Sequence, residues 1–130
     1  MEFAYLNGMR FARDSTSGRN VIRGYAAGEL KINEAVFHEP VIVSSSAIVP
    51  GPPIGSAQEL DLSHAAQLLA LEPELVLLGT GARQSFPAAV FGAQFLRMGI
   101  GFEVMDTGAA CRTFNVLVAE QRRVVALLLL

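Results

Sequence analysis

Cys111 is the chain's one thiol, and its neighbours are of the kind that could make it reactive. It stands in the run Asp106-Thr107-Gly108-Ala109-Ala110-Cys111-Arg112-Thr113-Phe114-Asn115, where a helix is expected to begin. A helix N-terminus and an adjacent guanidinium both favour thiolate over thiol. Asp106 or Thr107 can cap that helix, and Gly108 leaves room for close backbone contact. A second stretch, Gly79-Thr80-Gly81-Ala82-Arg83-Gln84-Ser85-Phe86-Pro87, also follows an apolar run. Glycines after a strand let the backbone approach a ligand, the next helix offers unpaired N–H groups, and Arg83 could grip a carboxylate or phosphate. The candidate binding surface is therefore Gly79, Thr80, Gly81, Arg83, Asp106, Thr107, Gly108, Cys111, Arg112 and Asn115.

Each stretch also has a plainer reading. The first fails the dinucleotide fingerprint, since Gln84 falls where the third glycine belongs, and it has no Gly-Lys-Ser/Thr. It reads as a turn that lets strand and helix pack closely, with small-anion binding as the alternative. Cys111 reads as a packed small apolar residue, with a nucleophile as the alternative. Other chemistry is absent. One cysteine with His38 and His64 makes no zinc set, Ser44 to Ser46 have no glycines in elbow register, and Glu103 with Asp106 need not face one another as an acid/base pair. No metal, cofactor or catalytic residue is expected.

The elements that must position these loops come from composition and periodicity. At 130 residues, 52% hydrophobic and 17% charged, the chain is expected to form one domain spanning residues 1–130. A net charge of -2 gives no attraction for a nucleic-acid backbone. No apolar run approaches the ~20 residues of a membrane span. The start, Met1 to Tyr5, lacks the basic-then-apolar order of a secretory signal, so a cytoplasmic location is expected.

From Asp61 onward the sequence predicts an alternation: a helix capped by Asp61 or Ser63, a buried strand Leu75–Leu78, and a helix over Pro87–Met98. A strand Gly101–Met105, a helix Ala109–Glu120 and a strand Arg123–Leu128 follow. This is a parallel βαβαβ portion, and both loops leave the same edge of its sheet, where open α/β folds usually bind ligands. The N-terminal third is strand-rich. It predicts a hairpin about Asn7-Gly8, a loop at Asp14–Gly18, half-buried strands around Val21-Ile22 and Leu30–Ile32, and a third at Val41–Val43, within an antiparallel or mixed part of the sheet. Pro50–Pro53 reads as a rigid link between halves. Arg122-Arg123 reads as a solvated junction with Glu120 in reach. The greasy terminus is a buried last strand whose Leu129-Leu130 could contribute a contact to another chain.

The run Val104 to Leu117, continued by Glu120 and Arg122-Arg123-Val124, together with Leu77-Leu78-Gly79-Thr80-Gly81, resembles the Mth938-like domains. Relatives in that family of unknown function include the mitochondrial complex I assembly factor 3 and an adipogenesis-associated protein. The resemblance spans roughly Val21 to Leu130. It implies a three-layer α/β fold with a central mixed sheet and no established reaction. In eukaryotic relatives it implies a part in respiratory-complex assembly through protein partners. The favoured function is a non-enzymatic protein-binding or assembly-related module meeting a protein partner or a second copy. The alternative is an enzyme or anion-binding protein using Arg83, Arg112, Asp106 and Cys111. That alternative requires a concave pocket with Cys111 or Asp106 exposed and a base within about 3.5 Å.

Overall fold

Strand β6 (Leu75–Thr80) and strand β8 (Val124–Leu129) are apolar along nearly their whole length because both of their faces are covered. Val124, Ala126 and Leu128 enter one core, while Val125, Leu127 and Leu129 enter the other. Leu77 and the pair Val76 and Leu78 divide in the same way. The central sheet is thus covered on both faces. A computed structural model describes residues 18–130 of the chain. The hairpin expected about Asn7-Gly8 and most of the Asp14–Gly18 loop lie outside the described residues.

The central sheet adds β4 (Val41–Ser44), β5 (Ile48–Pro50) and β7 (Gly101–Met105), in the order β5-β4-β8-β6-β7. Here β6 runs parallel to β7 and β8, and β4 runs antiparallel to β5 and β8, so the sheet is mixed. The first strands do not join it. β1 (Ile22–Ala26), β2 (Glu29–Ile32) and β3 (Ala35–Phe37) make a separate antiparallel sheet. Their inward residues Ile22, Leu30 and Ile32 need a cover, and helix α3 (Thr107–Ala119) supplies it from between the two sheets with Ala110, Cys111, Phe114 and Val118.

The opposite face carries α1 (Leu62–Leu69) and α2 (Ala89–Leu96). Asp61 caps α1 by accepting from the Ser63 and His64 N–H groups, and His64 Nδ1 accepts from the Asp61 N–H at 3.0 Å. His64 is thereby committed to the helix start. In α2, Phe91 and Phe95 meet edge to face, with centroids 5.4 Å apart, and Phe95 stacks on Phe102 of β7 at 5.3 Å. Gly92 permits this packing, since a Cβ there would lie 2.8 Å from the Phe102 ring. α2 begins later than Pro87 because residues 81–88 bridge from the strand. α3 begins earlier than Ala109 because Asp106 caps it, accepting from the Ala109 N–H at 2.9 Å.

Candidate functional site

The crevice of an open α/β sheet opens where neighbouring parallel strands send their loops to opposite faces. β6 and β7 do this, with one loop leading to α2 and the other to α3. Instead of leaving a cleft, the two loops bond to each other. The Thr107 hydroxyl, fully buried, accepts from the Gly81 N–H at 2.7 Å and donates to the Leu129 carbonyl at 2.5 Å. The Thr107 N–H donates to the Gly81 carbonyl at 2.9 Å. The Thr80 hydroxyl donates to the Arg83 carbonyl at 2.5 Å and accepts from the Ser85 N–H at 3.0 Å. The Gln84 side-chain amide donates to the Val104 carbonyl at 2.9 Å. Two threonines thus hold the loops in place.

Glycine has a packing role here. A Cβ on Gly79 would lie 2.9 Å from Thr107 Oγ1 and 3.1 Å from Ala110 Cβ, so only glycine lets α3 approach β6 this closely. Gly81 takes φ +90°, the left-handed region that favours glycine, and sends the chain out of the sheet. Of the residues drawn together by sequence, Gly79, Gly81, Thr107, Cys111 and Asn115 are buried, Thr80, Asp106 and Gly108 are half-buried, and Arg83 and Arg112 are exposed. The two loops are neighbours, but what reaches solvent at their edge is mainly the two arginines.

Cys111 is fully buried within the α3 core. Burial pushes its thiol up to about 12; Arg112 pulls it down and Asp106 pushes it up, but the loss of hydration dominates. Desolvation therefore outweighs the pull of the helix start and of Arg112 toward thiolate. Asp106 is occupied in capping α3. Asn115 is buried as a structural bridge: its amide donates to the Ile22 carbonyl at 2.8 Å, and its oxygen accepts from the Ile22 N–H at 2.9 Å. It satisfies the backbone where the β1 register slips between Ile22 and Gly24.

Tyr25 is not legible at this edge from sequence, because alternation from Ile22 would point it outward and the register slip between Ile22 and Gly24 turns it toward the α3 core. Its ring lies beside Gly108, and its hydroxyl is buried with no hydrogen-bond partner among the described residues. Burial, reinforced by Cys111 and Asp106, raises its pKa above the ordinary tyrosine value. Arg122 pairs with Glu74 at 3.1 Å, and Glu74 also accepts from the Arg123 N–H at 2.8 Å, so Glu74 takes the place expected of Glu120. Leu129 is buried in its own chain, and the Leu130 carbonyl accepts from the Gly28 N–H at 3.2 Å. Leu129 is thus unavailable for the contact with another chain that the sequence suggested.

An exposed apolar surface lies beside this edge, and a second apolar groove, of about 460 Å³, lies between β3 and the β4–β5 hairpin at Val36, Phe37, Pro40, Ile48 and Val49. Phe86 is 63% exposed, Val90 51%, Leu96 64% and Met98 63%. Phe86, Ala89, Gly92, Ala93 and Leu96 line a groove of about 380 Å³ whose far wall is Phe102 and Val104 of β7. The signal in sequence is that α2 has no polar face: Gln94 is its one polar residue. Among the described residues, no group of three or more His, Cys, Asp or Glu could hold a metal ion, and no helix is long and apolar enough to cross a membrane.

Fold and edge together define a mixed-sheet α/β domain whose strand-to-helix loops are closed by their own hydrogen bonds and whose open apolar surface lies on α2. The model of the DUF498/DUF598 family, described as "protein of unknown function", matches residues 22–129, and the chain belongs to this family of Mth938-like domains. A Francisella tularensis "13 kDa major membrane protein" is 32% identical over 101 residues, covering 77% of this chain and 82% of that one. A zebrafish (Danio rerio) "NADH dehydrogenase (ubiquinone) 1 alpha subcomplex assembly factor 3" is 34% identical over 115 residues, covering 87% of this chain and 66% of that one. Among solved structures, a Bordetella parapertussis protein superposes with TM-score 0.80 at 35% identity, covering 87% and 97% of the two chains. A Bordetella pertussis Mth938-like domain gives 0.75 at 29%, covering 93% and 92%.

Proposed function

We propose that this chain is a non-enzymatic protein-binding module of the assembly-related kind, and that it meets its partner through α2 and the adjoining Phe86. The observation that carries the reading is the second apolar stripe of α2. Phe91 and Phe95 enter the core, while Ala89, Ala93 and Leu96 line a groove that none of the described residues fills. A helix apolar all round is normally covered all round, and a contiguous exposed apolar patch marks an interaction surface. The similarity to a protein named as an assembly factor supports a role through partners. Burial of Cys111 and the capping role of Asp106 speak against the enzymatic alternative. Thr80 and Arg83 stand on the loop that leads into this face, while Asp106, Gly108 and Arg112 stand at the start of α3 on the other side of the sheet.

The test is a photo-crosslinking residue at Val90, compared with one at Glu34 in the exposed β2–β3 turn. Discrete adducts are expected from position 90 in native extract, and they should disappear when Leu96→Asp is added. Identical adducts from both positions, or adducts indifferent to Leu96→Asp, would overturn the assignment of the face.

A further inference from the structure

The segment that carries the α2 groove is one-signed in charge. From Leu75 to Phe102 the chain contains no acidic residue, while Arg83 and Arg97 stand exposed before and after the helix. Neither is among the cationic side chains that pair with a carboxylate among the described residues, Lys31 with Glu34 and Arg122 with Glu74. The chain as a whole carries -2, so this cationic segment runs against the net charge. Glu103, the next residue along β7, alternates to the opposite face of the sheet. An apolar floor between two unpaired guanidiniums complements an apolar stripe flanked by carboxylates.

Shape narrows the occupant further. The floor is made of small residues, Ala89, Gly92 and Ala93, and the ends are Phe86 and Leu96. Positions 89, 92, 93 and 96 follow helical spacing, so the groove runs along α2 and suits another helix laid against it. A lipid surface would take the protruding Phe86 and Leu96 but would leave the concave floor between them unfilled. Strand addition on the open edge of β7 competes with the Gln84 amide already on the Val104 carbonyl. A symmetric pairing of two copies through this face would place arginines in one interface with no acid to oppose them.

Resting on the protein-binding reading above, we propose that the segment docking here is an amphipathic helix of a partner protein, with an apolar i, i+3/i+4, i+7 stripe and Asp or Glu at both ends.

The experiment uses the full chain, ¹⁵N-labelled, and three synthetic 16-residue helical peptides. One has a Leu/Ala stripe with Glu flanks, one has the same stripe with Lys flanks, and one has Glu flanks with the stripe scrambled. Phosphatidylglycerol vesicles form a fourth arm. The Glu-flanked peptide is expected to shift the amides of Ala89, Ala93, Leu96 and Phe102 and to bind at least about tenfold tighter than the other two. The double variant Arg83→Glu/Arg97→Glu, both at exposed sites, should invert the preference toward the Lys-flanked peptide, with its spectrum elsewhere unchanged. No binding by the Glu-flanked peptide, equal affinity for both charged peptides, failure of the inversion, or preferential recruitment by vesicles overturns the proposal. If crosslinks at Val90 persist while the peptides fail, the partner chemistry is wrong. If the crosslinks themselves ignore Leu96→Asp, the face is wrong.

Discussion

Thr107→Val keeps side-chain volume and β-branching and removes one oxygen. That oxygen closes two contacts, from the Gly81 N–H at 2.7 Å and to the Leu129 carbonyl at 2.5 Å, at a site with no solvent exposure. Each intramolecular bond contributes about 1 kcal/mol net, and a buried donor left unpaired costs about 1–3 kcal/mol. The Gly81 N–H loses its partner outright, and Leu129 loses one of two possible donors. The sum is a loss of roughly 2–4 kcal/mol, a large share of the ~5–15 kcal/mol that holds a typical domain together. Thr107→Ser keeps the hydroxyl, loses one methyl and should cost only about 1 kcal/mol. Urea unfolding followed by circular dichroism measures both, with the m-value expected to stay constant. The ranking is the diagnostic. If the hydroxyl is part of the scaffold, valine is worse than serine despite its greater apolarity. If the hydroxyl were kept free for a ligand, valine would be as stable as the parent or more so. A valine variant at or above the serine variant would refute the view that these loops are closed by their own side chains.

Gly79→Ala sets a methyl 2.9 Å from Thr107 Oγ1 and should cost about 1–3 kcal/mol by pushing α3 off β6, measured by the same denaturation. Asn115→Ala strips both bonds from Ile22 and should cost about 2–4 kcal/mol. Amide exchange should show that loss first in β1–β3, and uniform loss across both sheets would argue against a local bridge. Cys111, with its thiol pushed up by burial to about 12 from an ordinary 9.0, should resist a disulfide reagent at pH 8 by about a thousandfold relative to the urea-unfolded chain. Because the folded value lies above the unfolded one, this group's contribution to stability is complete below about pH 9 and is lost as pH rises toward about 12. Cys111→Ala should therefore flatten part of the alkaline fall in stability measured from pH 7 to 11. Tyr25, shifted in the same direction, should account for part of what remains.

The alternation of elements after Asp61 was legible because it depends on local period. Both faces of β6 and β8 are covered, which erases polar alternation, while Phe91 with Phe95 and Ala110 with Phe114 recur at helical spacing. The separate sheet of β1–β3 was not legible, because alternation in Leu30 and Ile32 shows that one face is buried and not what buries it. The same limit applied to Cys111. Its neighbours in sequence suggested a low pKa, while its neighbours in space, Ile22, Leu30 and Phe114 among the core residues, are apolar. Thr80 and Thr107 could be recognised as loop residues, but their pairing across two chain segments needed the fold. The α2 stripe was written plainly in Ala88-Ala89-Val90-Phe91-Gly92-Ala93; what sequence lacked was the number of helix faces the domain itself would cover.

The position of β8 between β4 and β6 has a consequence for the order of events during synthesis. Val41, Ile42 and Val43 emerge early and can pair with β5, but their other neighbour does not exist until residues 124–129 have been made. At roughly 5–20 residues per second, the nascent chain carries an unpaired valine- and isoleucine-rich edge for several seconds. Such an edge is a template for unwanted strand addition. The domain therefore closes all at once when β8 arrives, and in the interval before that its safety depends on whatever in the cell shields nascent edges, a dependence the finished structure no longer displays.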